Sequence, residues 1–202
     1  MRAFRRFPTR FRKLHRVTVK LALVSHAATE ATRSVRFPAD EPLNVTGLRD
    51  VEKVDGRALV RGGAVLSAPE RRTTETAQRL QLSDVQVEDA VRDVNYGRWT
   101  GKAMTDLGDD ELHAWLTDPR ASPHGGESVS DVVTRVAGWL RTLDEGSRTL
   151  TVTHPAVVRA AVVVALGAPL QAFWRIDVVP LSLTSMHRRG NHWTLRCASS
   201  RL

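Results

Sequence analysis

The chain has 202 residues, 42% hydrophobic and 26% charged, enough to bury one full core without disulfide or metal staples. Its lone cysteine, Cys197, excludes an internal disulfide; no CxxC or HxxxH ligand cluster appears, and no apolar run reaches the ~18 residues of a membrane span. The net charge of +8 belongs to the first 20 residues, which carry eight Lys/Arg and no acid, leaving 22 basic against 22 acidic residues beyond them.

Residues 1–16 therefore read as a basic, disordered arm, and 17–202 as a single domain with a formally neutral body. That neutrality argues against nucleic acid as a partner. The arm lacks the apolar core of a secretory signal, so a cytoplasmic protein is expected. Val17–Val24 is a run of strand formers with apolar side chains on both parities, an interior strand ending at Ser25. Residues 28–44 are polar and too irregular for a regular element. Thr46 is placed to cap a helix running to Val60, followed by a short strand Ala64–Leu66. Ser67 and Pro69 then open a polar helix, Glu70–Leu80.

The stretch from Val91 to Glu127 is the least regular and holds Tyr96, Trp99 and Trp115, the first two read as packing residues. Ser128 caps the clearest helix, whose Val129, Val132, Val136, Trp139, Leu140 and Leu143 recur at three- and four-residue spacing. Thr149–Thr153 is a strand, followed by His154-Pro155 and an Ala/Val-rich helix stopped by Gly167. Leu183–His187 and His192–Cys197 flank Arg188-Arg189-Gly190-Asn191, an antiparallel hairpin. The alternation predicts an α/β fold, a three-layer sandwich with a mostly parallel central sheet flanked by helices. Ligands bind such sheets outside the carboxyl ends of strands. Three predicted strand ends carry suitable residues: Ser25-His26, Ser67 leading to Arg71-Arg72, and Thr153-His154. Two histidines and an arginine are thereby expected in one pocket, while His113, His124, His187 and His192 read as surface or hairpin residues.

Six segments in order resemble the histidine phosphatase, or phosphoglycerate mutase-like, superfamily. They are Ser25-His26-Ala27-Ala28-Thr29, Asp40 to Gly47, Ser67 to Ala77, Asp93 to Gly101, Pro123 to Ser128, and Val152 to Arg159. The resemblance implies phosphoryl transfer to His26, then to water or another acceptor, with no cofactor or metal. It implies Arg72 and His154 as donors to the phosphoryl oxygens, and Asp93 as acid and then base. Ser25 and Thr29 fall beside the nucleophile as substrate-binding positions. A neutral imidazole is a competent nucleophile near pH 7, and the charge spread over a phosphoryl group in flight calls for cations around it.

The pattern departs from the family at three positions. The arginine before the nucleophile is Ser25, the following glycine is Ala27, and the glycine after the second histidine is Pro155. Loss of the arginine removes a permanent cation, for which Arg33, then Arg36, is the expected replacement as a substrate-binding residue. The expected activity is phosphomonoester hydrolysis, with a small phosphorylated metabolite as partner. Anion binding without turnover is the alternative, and a homodimer is admissible. Mutases of the resembled family tend to carry extra segments that close over the pocket, so by the resemblance the short span between Asp93 and Gly126 implies a hydrolase rather than a mutase.

Overall fold

In the computed structural model, residues 18–202 are described; the expected arm and Val17 lie outside them. Six strands form one sheet in the order β3-β2-β4-β1-β5-β6. Strand β1 (Val19–Ser25) runs parallel to β4 (Arg148–Thr153) and antiparallel to β5 (Ser182–Arg189). Strands β2 (Ala64–Ser67) and β3 (Val85–Val87) continue the parallel side, while β6 (His192–Arg201) closes the hairpin. The α/β sandwich with its C-terminal antiparallel hairpin is thus present.

Interior β1 is covered on both faces, as its sequence requires. One face buries Leu21, Leu23 and Met186 against Val132, Val136 and Trp139 of α5 (Val129–Thr142) and Val157 and Ala161 of α6 (Pro155–Leu166). The other packs Val24, Leu150 and Val152 against Val51 of α2 (Val45–Val51) and Ala77 of α3 (Arg71–Arg79). Ser128 caps α5 reciprocally: its Oγ accepts the Asp131 amide at 3.1 Å, and the Asp131 carboxylate accepts the Ser128 amide at 2.9 Å. Gly167 ends α6 in the left-handed region, at φ 57°. Among the described residues, no helix is long and apolar enough to cross a membrane.

Several elements differ from expectation for local reasons. Asn44, not Thr46, caps α2, because its Oδ1 accepts the Gly47 amide at 2.8 Å while its Nδ2 donates to the Thr29 carbonyl at 3.0 Å. The helix stops at Val51, and only a 3-10 turn, Gly56–Leu59, occupies the rest, since the Asp55 carboxylate captures the Arg57 amide. The polar stretch after His26 contains one helical turn, α1 (Glu30–Arg33), and the irregular middle contains α4 (Asp109–Thr117). Three-residue β3 was too short to announce itself by alternation.

Gly47 lies where α2 crosses the segment just after the His26 turn. A Cβ there would stand 2.2 Å from the Ala28 carbonyl oxygen, so backbone would have to move. Gly47→Ala is expected to destabilise the fold by about 1–3 kcal/mol through overpacking, measurable by urea unfolding.

Candidate active site

Parallel pairing of β1 and β4 builds the centre of the site. Ser25 is the register partner of Thr153, and the His26 amide donates to the Thr153 carbonyl at 2.9 Å. His26 and His154 therefore leave adjacent strands at equivalent positions. Strand spacing alone brings such residues together, and the two ring centroids are 5.3 Å apart. Pro155 occupies the first turn of α6, where a missing amide hydrogen costs nothing, so the family glycine is not needed there. Ala27 has no positive φ either, and its amide donates to Thr76 Oγ1 of α3 at 3.1 Å.

On the other side of β4, β2 ends at Ser67 and the chain turns into α3. Neighbouring helix positions differ by about 100° in direction, so only one of the two arginines faces inward. Arg72 does, with 2% exposure; Arg71 is exposed. Arg72 Nη2 donates to Asp93 Oδ2 at 2.6 Å and Nη1 to the Ala39 carbonyl at 2.7 Å. Asp93 arrives on the loop after β3, which is fastened by Thr153 Oγ1 donating to the Val91 carbonyl at 2.7 Å. Arg135 of α5 grips the same loop, donating to the carbonyls of Ala90, Arg92 and Asp93 while paired with Glu127.

Electrostatics fix the state of each group. His26 is 6% exposed; burial, then the charges of His154 and Arg72, push its pKa down to about 3, so the ring is neutral. A carbonyl can only accept, so the 2.8 Å contact of Nδ1 with the Ala27 carbonyl puts the proton on Nδ1. The lone pair is then on Nε2. Burial would raise the Asp93 carboxyl, but His154, Arg72 and the Val94 amide outweigh it and hold Asp93 below the ordinary range.

Glu70 escaped the sequence reading. Its Oε2 accepts His154 Nε2 at 2.7 Å and its Oε1 accepts the Asp93 amide at 2.9 Å. Burial acts to raise this carboxyl too, and the His154 hydrogen bond and charge prevail in lowering it. The only sequence signal was an acid two residues before Arg72, indistinguishable from an ordinary helix-start glutamate. Arg135 likewise looked like a polar position on an amphipathic helix.

The side chains of the remaining expected site residues are not hydrogen-bonded to this cluster. Thr29 is buried, but its Oγ1 caps α1 by accepting the Thr32 amide at 3.2 Å. Ser25 Oγ is buried without a hydrogen-bond partner. Arg33 lies on exposed α1, where Glu30 takes its guanidinium, and Arg36 donates to the Gly101 carbonyl at 3.2 Å. The charges that act most strongly on His26 are those of His154, Arg72 and Asp93. His124 corrects its surface reading: it is 2% exposed among Tyr96, Trp99 and Trp115, and its Nδ1 accepts the Gly126 amide at 2.9 Å.

The family model of the histidine phosphatase superfamily (branch 1) matches residues 21–200. The chain belongs to that superfamily. It is 33% identical over 186 residues to a bifunctional protein of Mycobacterium tuberculosis, covering 85% of this chain and 51% of that protein. It thus spans about half the length of the curated relatives it matches at that identity. In fold it is similar to phosphoserine phosphatase from Entamoeba histolytica in complex with 3-phosphoglyceric acid. That likeness has a TM-score of 0.81 at 21% identity, over 90% of this chain and 97% of the other. The mycobacterial glucosyl-3-phosphoglycerate phosphatase in complex with VO3 has a TM-score of 0.77 at 22% identity, over 90% and 98% of the two chains.

Proposed function

We propose that this histidine phosphatase superfamily member hydrolyses the phosphomonoester of a small metabolite through a phosphohistidine on His26. The observation that carries the reading is the pair of imidazoles on adjacent parallel strand ends, with the buried Arg72 guanidinium beside them. In the first step, the Nε2 lone pair forms a bond to phosphorus as the ester P–O bond breaks. Asp93, protonated once substrate is bound, gives its proton to the leaving oxygen. In the second, the Asp93 carboxylate takes a proton from water as its oxygen attacks phosphorus, the P–N bond breaks, and phosphate leaves. Arg72 and His154 hold the equatorial oxygens throughout.

The resting contacts give this cycle a definite start. Arg72 holds Asp93 and His154 holds Glu70, so an incoming phosphate must replace both carboxylates. Moving Arg72 onto phosphate removes one cation from Asp93 and sets an anion beside it. Both changes raise the Asp93 pKa, so the carboxylate takes up from solvent the proton that the first step delivers to the leaving oxygen.

The missing family arginine has no substitute at Ser25 in the resting contacts of the described residues, so the site works with Arg72 as its one arginine. Accordingly, Arg33→Ala is expected to leave kcat/KM essentially unchanged; a large loss would place Arg33 on the substrate after all. Glu70→Gln should tighten inhibition by inorganic phosphate by roughly tenfold, since one competing negative charge is removed from a partly buried site. An unchanged inhibition constant would show that Glu70 does not compete with phosphate.

The two carboxylates on the anion donors, together with Ser25, favour one second reading, anion binding without turnover. A panel of phosphomonoesters assayed for released phosphate, with the His26→Ala protein as blank, separates the two. Hydrolysis above the blank supports the enzyme. Saturable inorganic phosphate binding with no hydrolysis of any ester supports the binder.

A further inference from the structure

The sheet carries a second chemically distinct place at the end opposite His26. Lys20 on β1 is in register with Arg148 on β4 and His187 on β5, so the three form one row across three strands on one face. Adjacent strands are about 4.8 Å apart, and like charges directly opposite destabilise a sheet. Several arginines elsewhere reach a carboxylate, among them Arg33, Arg79, Arg98, Arg135 and Arg188. Among the described residues, no carboxylate pairs with Lys20, Arg148 or the nearby Arg61, and none lines the cavity they share.

That cavity measures about 390 Å³, within the range of small-molecule sites. In the next cross-strand row Leu150 and Ala22 give it an apolar floor with the Ser185 hydroxyl at its edge, and Leu59 closes one side. Burial, then the charges of Arg196, Lys20, Arg189 and Arg148, depress the His187 pKa, consistent with cations gathered on all sides of it. Six residues of strand separate Lys20 from His26, roughly 20 Å at the rise of a β-strand. The groove is therefore not part of the catalytic cluster.

We propose that this groove is a second, non-catalytic binding site for a small phosphorylated molecule with an apolar body. Its charged head sits on Lys20, Arg148 and Arg61, and its body lies over Ala22, Leu150 and Leu59. A bound dianion relieves the repulsion along the cationic row, and the apolar floor distinguishes the ligand from free phosphate.

Fluorescence titration of the full chain with 1-anilinonaphthalene-8-sulfonate, an anion with an apolar body, tests the proposal. One saturable site is expected, retained in His26→Ala and weakened at least tenfold in the Lys20→Gln/Arg148→Gln double variant. Octyl phosphate should displace the probe, octanol should not, and inorganic phosphate should do so only weakly. The double variant should melt no lower than the wild type, because the row no longer repels itself. Undiminished probe binding in a folded double variant would overturn the proposal, as would equal displacement by octanol. Displacement by a single-stranded oligonucleotide or by phosphatidylserine vesicles, with no effect of octyl phosphate, would make this a macromolecular surface and equally overturn it.

Discussion

Arg72→Ala is expected to lower kcat/KM for any phosphomonoester substrate by about 10³-fold. Removing one preorganised donor from a developing oxyanion costs about 10²–10³-fold, and a cationic arginine in phosphoryl transfer is worth as much or more. The described residues place no second arginine against His26 to compensate, because Arg33 and Arg36 are engaged elsewhere. The same substitution strands Asp93, which is 8% exposed and loses its 2.6 Å partner. Breaking a buried pair by removing one member costs about 3–5 kcal/mol, so urea unfolding should register the loss as well. Arg72→Lys keeps the charge but not the two-pronged reach to Asp93 and the Ala39 carbonyl, and should fall between. A folded Arg72→Ala protein with a tenth of the wild-type kcat/KM would remove Arg72 from the chemistry.

Acid sensitivity should be the second large effect, and its sign follows from His26. The folded ring has its pKa lowered from 6.5 to about 3, so the unfolded chain binds a proton across that window and the folded chain does not. Stability is fully present above the unfolded value and declines as pH falls from 6.5 towards 3. Each tenfold difference in proton affinity between the two states is worth about 1.4 kcal/mol, so the limiting loss is on the order of 4–5 kcal/mol. Asp93 and Glu70 act in the same direction further down. Their lowered pKa values give stability that is present above the unfolded carboxylate range and lost as pH falls through the folded values. Urea unfolding at pH 7.5, 6 and 5 should show the decline while most carboxylates remain ionised, and His26→Asn should flatten the larger part of it, His124 and His187 acting in the same direction. A free energy unchanged between pH 7.5 and 5 would mean that His26 is not held neutral.

The sequence made the centre of the site legible because parallel strands convert chain position into spatial position. A polar residue following each of two adjacent apolar strands must emerge beside its counterpart, and His26 and His154 do so. Arg72 was legible from motif register, and its separation from Arg71 follows from helix geometry. Glu70 and Arg135 were not legible, since their contacts depend on how α3 and α5 meet the Asp93 loop. His124 misled for a related reason: a histidine between Pro123 and Gly125 has the local signature of an exposed turn. Only the aromatic cluster formed by distant segments buries it. The Arg33 expectation rested on loop length, whereas Thr29 caps a helical turn that sends Arg33 outward to Glu30.

The most direct test of the central claim is to catch the phosphoryl group on the protein. Full-chain enzyme turning over p-nitrophenyl phosphate should be quenched in alkali, where phosphohistidine survives, and mapped by mass spectrometry. A phosphoryl adduct on His26 is expected, absent from His26→Ala and discharged when substrate is removed before the quench. Steady hydrolysis by the wild type with no adduct on His26, together with undiminished hydrolysis by His26→Ala, would contradict the assignment of His26 as nucleophile.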